Sequence, residues 1–112
     1  MTMIDLDTRQ KTELAETFGL LADPTRLSVV LSCLDQERSA GDIARDLGVS
    51  QSLVSHHLRL LRAARMLRSE RRGKHIFYEM AEDCVHDVLK IMINHMFDHD
   101  HLHTETTMEG AN

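Results

Sequence analysis

The sequence predicts a mostly α-helical chain with one small β-hairpin, on three observations. Apolar residues recur at helical spacing over most of the 112 residues, a single proline and five glycines punctuate them, and the stretch MLRSERRGKHIFYEM alternates loosely around Arg72-Gly73. The length fits one core, so residues 1–103 are expected to form a single domain, with 104–112 as a polar tail. A composition of 42% hydrophobic and 28% charged residues is that of a globular chain rather than a disordered one. No apolar run approaches the roughly 20 residues of a spanning helix, and the start, MTMIDLDTRQ, has no signal-peptide core, so no membrane partner and a cytoplasmic location are expected.

The elements follow in order. Leu14, Phe18, Leu21 and Ala22 mark a first helix that ends before Asp23-Pro24, where Asp can cap and Pro fits the first turn of a second helix reaching about residue 34. Residues 39–47 make a short helix, Gly48 a turn, and Ser50 caps a longer helix to about residue 64. Short helix, glycine turn and longer helix are the layout of a helix-turn-helix, and the hairpin behind it would be a wing. A last helix covers about residues 83–97. With only Phe18, Phe77, Tyr78 and Phe97 as aromatics, the core must be aliphatic and small, which favours a homodimer through the terminal helices.

A formal charge of −5 argues at first against nucleic acid, but the charge is segregated. Residues 45–75 hold eight basic and two acidic side chains, a net of +6, whereas residues 1–44 carry −4 and residues 76–112 carry −7. The basic segment is the helix-turn-helix and hairpin. At 100° per residue, the helix after Ser50 turns Leu53, Val54, Leu58, Leu60 and Leu61 to one side and Gln51, Ser52, Ser55, His56, Arg59 and Arg62 to the other. Short polar donors followed by arginines suit the major groove, and Arg71, Arg72 and Lys74 at the hairpin tip could reach phosphates or the minor groove. A solvated face would explain that helix alone; the glycine turn and basic hairpin around it favour double-stranded DNA. His57 falls toward the apolar side and is expected in the core.

Five of eight histidines lie in the last quarter of the chain. On the final helix an apolar stripe of Val85, Val88, Leu89, Met92 and Met96 is flanked by Cys84, His95 and His99, with Asp98 further round. Cys84 and His95 are three turns apart, about 16 Å along the axis, so one helix cannot close a site with both. Two such helices packed antiparallel about a two-fold axis can, giving two equivalent sites for a divalent ion. Thiolate, imidazole and carboxylate suit four-coordinate zinc first and also accept cobalt or cadmium. Asp83 and His86 point toward the polar side and are weaker ligands; His101 and His103 could complete a six-coordinate nickel or cobalt site.

The run LADPTRLSVVLSCL, followed by GDIARDLGVSQSLVSHHLRLLRAARMLRSERRGKHIFYEM, resembles the ArsR/SmtB metalloregulators, dimeric winged-helix repressors of bacteria. The likeness spans about residues 18–99 and is carried most specifically by VSHHLRLL and the wing RRGKHIFY. It implies a repressor on an imperfect inverted repeat that leaves DNA when metal binds, switching on efflux or sequestration genes. Members differ in where metal sits. The thiolate site at the start of the helix-turn-helix looks absent, since Ser39-Ala40-Gly41-Asp42 has no thiol there. Zinc-type members use Asp-x-His, ten residues, then His-x-x-Glu or His-x-x-His; this chain has Glu82-x-Cys84, ten residues, then His95-x-x-Asp98. Spacing is kept while donors change, toward a softer or tetrahedral ion, and His99 could replace Asp98. In related zinc sensors a liganding His also donates to a backbone carbonyl near the end of the recognition helix, around Arg65 here.

Two rival readings keep the same fold. One is a thiol or persulfide sensor using Cys33 and Cys84; the other is a regulator whose histidines are incidental and whose DNA binding ignores metal. An enzyme is not expected, because no nucleophile-base pair or phosphate-cradling glycine loop is present.

Overall fold

The computed structural model describes residues 4–98. By its contacts the chain divides into two compact units, Met1–Ala81 and Glu82–Asn112. In the first, α1 (Thr8–Ala22) opens with a capping box: Asp7 accepts from the Gln10 amide at 2.8 Å while the Gln10 side chain accepts from the Asp7 amide at 3.0 Å. Asp23 ends α1 and caps α2 (Pro24–Ser32), accepting from the Arg26 amide, with Pro24 in the first turn. Arg26 reaches back, donating Nε to the Leu20 carbonyl at 2.7 Å and Nη2 to that of Gly19 at 3.4 Å. It thereby satisfies carbonyls that the end of α1 leaves open.

A two-residue strand, β1 (Arg38–Ser39), precedes α3 (Ala40–Leu47), whose first turn is capped by Ser39. Gly48 takes the left-handed conformation (φ 70°) that closes α3, and Ser50 caps α4 (Gln51–Ala63). The hairpin follows as β2 (Leu67–Arg72) and β3 (His75–Met80). Its pairing, Leu67 with Met80 through Arg72 with His75, makes Gly73-Lys74 the turn, one residue later than the sequence suggests. Only the first of the two has positive φ, 64° at Gly73, the signature of a type II′ turn. The wing is also more than a hairpin: β1 adds antiparallel to β3, giving the order β1-β3-β2 with Ser39 opposite Phe77.

The core is the aliphatic one expected. Val29, Val30 and Cys33 from α2 and its end, Ile43 and Ala44 from α3, and Val54, Leu58 and Leu61 from α4 are buried, closed by Met66 and Leu67. Each large side chain removed from water there is worth roughly 1.5–3 kcal/mol. The end of α4 departs from the usual pattern. Met66 donates to the Leu61 carbonyl and Arg65 to that of Arg62, both at 2.9 Å, a Schellman closure that places Arg65 at φ 62° where glycine is the common residue.

The second unit contains α5 (Asp83–Ile93) and a π-helical turn, Asn94–Asp98. A regular helix to residue 97 is therefore corrected. The i→i+5 turn is wider than an α turn, so α-helical phase does not carry from Cys84 through to His95 and beyond.

Candidate nucleic-acid interface and metal centre

The outward face of α4 is as the periodicity predicts. Gln51, Ser52, His56, Arg59 and Arg62 are exposed and Ser55 half-buried, while Val54, Leu58 and Leu61 are fully inside. Leu53 and Leu60 depart from the expected apolar side, each remaining nearly two-fifths exposed. Gln51, Ser52, Ser55 and Arg59 line an open cleft of about 330 Å³. Gln51 and Ser55 also border a second cleft, about 530 Å³, shared with Ser39 and Arg45 on one side and Lys74 and Tyr78 of the hairpin on the other. The helix α4 and the wing thus both edge the second, polar cleft.

Ion pairing sorts the basic residues further than the sequence could. Arg45 is held by Asp42, Arg68 by Glu79 at 2.9 Å, and Arg72 by Glu37 and Glu70. Among the described residues Arg59, Arg62, Arg71 and Lys74 have no ion pair, so their charge is left for an anion. The hydrogen bonds from Arg72 hold the Glu37 carboxyl below the usual carboxylate range, and those to Glu37 and then Glu70 push the guanidinium up. His57 is buried as expected, its ring 5.6 Å from that of His56. Its Nδ1 has no partner among the described residues. Burial first, then the charge of Arg26, pushes the imidazole below its ordinary value, with Asp23 pulling the other way.

On the second unit, Glu82 occupies the N-cap position of α5 without making a side-chain cap bond. Glu82, Asp83 and Cys84 are exposed, and His95 is exposed within the π turn. His86 is half-buried, with Nδ1 3.0 Å from the Asp87 carboxylate. Among the described residues no three His, Cys, Asp or Glu side chains come together as a metal site. His99, His101, His103 and the Asp98 side chain lie outside the described residues. The donor types match a four-coordinate divalent ion, and the exposed Cys84 and His95 are accessible to one. Cys33 is different. It is 1% exposed, and burial pushes its thiol up to about 12 despite the nearby Arg38. Both cysteines are free thiols.

Sequence reasoning missed β1, the Glu37–Arg72 pair and the positive φ at Arg65. None has a local signature: the first two join residues distant in the chain, and the third is an arginine where glycine would have been the signal.

No described helix is long and apolar enough to cross a membrane. Residues 23–69 match the family model described as bacterial regulatory protein, arsR family. The chain is 35% identical over 91 residues to a transcriptional repressor SmtB homolog of Synechocystis sp., covering 81% of this chain and 69% of that protein. It is 33% identical to the HTH-type transcriptional regulator NmtR of Mycobacterium tuberculosis, over 88% of this chain and 79% of that one. The crystal structure of NolR from Sinorhizobium fredii superposes with a TM-score of 0.72 at 28% identity, over 84% of this chain and 97% of that one. The polar groove of α4 and its winged sheet are therefore those of a DNA-binding transcriptional regulator rather than an enzyme, and the chain belongs to the ArsR/SmtB family of bacterial regulatory proteins.

Proposed function

We propose that this protein is a metal-released repressor that binds an imperfect inverted repeat of double-stranded operator DNA as a homodimer in the cytoplasm. One α4 of each copy enters the major groove. Gln51, Ser52, Ser55 and His56 approach base edges, Arg59 and Arg62 pair with guanine or phosphate, and Arg71 and Lys74 reach the backbone beside it. The observation that carries this reading is the set of cations without ion pairs among the described residues on α4 and the wing, Arg59, Arg62, Arg71 and Lys74, in a chain whose net charge is −5.

The effector is a divalent ion, zinc first, with cobalt, cadmium or nickel as alternatives. Glu82, Cys84, His95 and Asp98 or His99 would hold it, with Asp83, His86, His101 and His103 as weaker donors. The exposure of Cys84 and His95, about three turns apart on the last helix and so too distant to share one ion within a chain, supports a site shared between two copies. When bound, the ion supplies a cross-link between the last helices, and it releases DNA only if it binds the DNA-incompetent state more tightly. The apolar side chains of α5 that a single chain leaves in water, Val88, Ile91, Met92 and Met96, support burial by a second copy.

The thiol-sensor alternative is weakened by the buried, high-pKa Cys33, a poor thiolate at neutral pH. Metal stoichiometry after dialysis, measured with Zn, Co, Ni and Cd beside DNA binding, tests the proposal. One ion per chain is expected for wild type and none for Cys84→Ser/His95→Ala. Retention by the double variant would contradict these ligands, and no retention by wild type would favour the metal-independent regulator. A response lost in Cys33→Ser would favour the thiol sensor.

A further inference from the structure

We propose that Arg72 is a positioning residue that grips Glu37 to hold the wing against the segment leading into α3, leaving Arg71 and Lys74 as the wing's DNA contacts. Arg72 is the last residue of β2, and both of its terminal nitrogens lie on the Glu37 carboxylate, Nη2 at 2.6 Å from Oε1. Nη2 also donates to Glu70 at 2.9 Å, and the guanidinium carbon sits 5.1 Å from the centroid of the Phe77 ring. With two carboxylates on its terminal nitrogens and an aromatic ring beneath, the group offers little net charge to a phosphate. Meeting one would mean breaking the fork.

Glu37 is placed to make this grip matter. The next residue, Arg38, pairs with Asp46 of α3, and Ser39 both pairs opposite Phe77 in the sheet and caps α3. Three consecutive residues therefore tie the wing tip, the sheet and the first helix of the helix-turn-helix together. Strand alternation puts Arg71 on the face opposite Arg72, and Arg71 and Lys74 have no ion pair among the described residues. Arg72 and Glu37 are 35 residues apart, so a run of basic residues at a hairpin tip gives no hint that one of them is committed elsewhere.

This inference rests on the proposed contact between wing and DNA, and the test separates the two. Binding of the full chain to a mixed-sequence duplex is measured across a salt series. Arg71→Gln and Lys74→Gln are expected each to flatten the slope of log K against log salt by about 0.9, one phosphate contact each. Arg72→Gln, Arg72→Lys and Glu37→Gln are expected to keep the wild-type slope and weaken binding about two- to fivefold. The Glu37→Gln/Arg72→Gln pair should be no weaker than the worse single variant. Lysine retains the charge but not the planar fork, so it should fail to rescue. A flattened slope for Arg72→Gln, wild-type binding by Arg72→Lys, or tighter binding by Glu37→Gln would overturn the grip. An unchanged slope for both Arg71→Gln and Lys74→Gln would overturn the wing contact itself, and the grip's role with it.

Discussion

The helix-turn-helix core in the part of the chain up to Ala81 and the helix α5 in the part from Glu82 use similar aliphatic side chains and shield them to different degrees. In the first, Val29, Val30, Ile43, Val54, Leu58 and Leu61 are completely shielded, and side chains of Asp7, Asp23, Ser39 and Ser50 cap the four helices. In the second, α5 starts without a side-chain cap, and Ile91 is 66% and Phe97 57% exposed. A single copy buries the apolar faces of α2, α3 and α4, but not that of α1, where Leu14 and Phe18 stay 48% and 57% exposed, nor most of that of α5. On our proposal the DNA-reading surface is built on the core that one chain buries, whereas the metal response is a property of two.

The largest effect that would sharpen this contrast is in the core. Leu58→Ala should lower unfolding free energy by about 2–5 kcal/mol in a denaturant titration, because the site cannot refill. Ile91→Ser should change the unfolding of dilute protein by less than about 0.5 kcal/mol while raising the concentration needed for the dimer in sedimentation. Equal losses for both variants would break the comparison. Next, Arg59→Gln should weaken operator-length DNA by about 1–3 kcal/mol, read by fluorescence anisotropy, with Glu82→Gln unchanged in the metal-free protein.

A smaller gain is expected at the end of α4. Arg65→Gly should stabilise the fold by about 1 kcal/mol, since an L side chain at φ 62° carries strain that glycine avoids. Loss of stability on that substitution would mean that the arginine side chain contributes more than its backbone strain removes. The smallest effect is at His57. Its folded pKa lies below the ordinary 6.5, so the neutral ring favours the fold. That contribution is complete above about pH 6.5 and is lost as pH falls from there through the folded value. His57→Leu should flatten this part of a stability profile; an identical profile would contradict the burial argument.

The helices, the capped turns and the reading face of α4 were legible because each is set within a few residues: Asp23-Pro24, Ser39, Gly48 and Ser50 act where they stand. The segregation of charge was legible too, but not its pairing. That Arg72, expected among the DNA contacts, pairs with Glu37 could not be read because Glu37 is remote in sequence, and two residues of strand at Arg38–Ser39 carry no periodicity to detect. At the candidate metal site, spacing singled out Cys84 and His95 as expected ligands, but it assumed an α-helix where a π turn runs through Asn94–Asp98. Spacing along one helix also does not show a second copy, which the proposed donors would need.

A Zn(II) titration of the metal-free wild-type protein against an operator duplex tests the central claim most directly. Affinity for DNA should fall as zinc approaches one ion per chain, and the same titration of Cys84→Ser/His95→Ala should leave affinity at the metal-free value. Wild-type DNA binding that stays constant through saturation with zinc, cobalt, cadmium and nickel would contradict metal release.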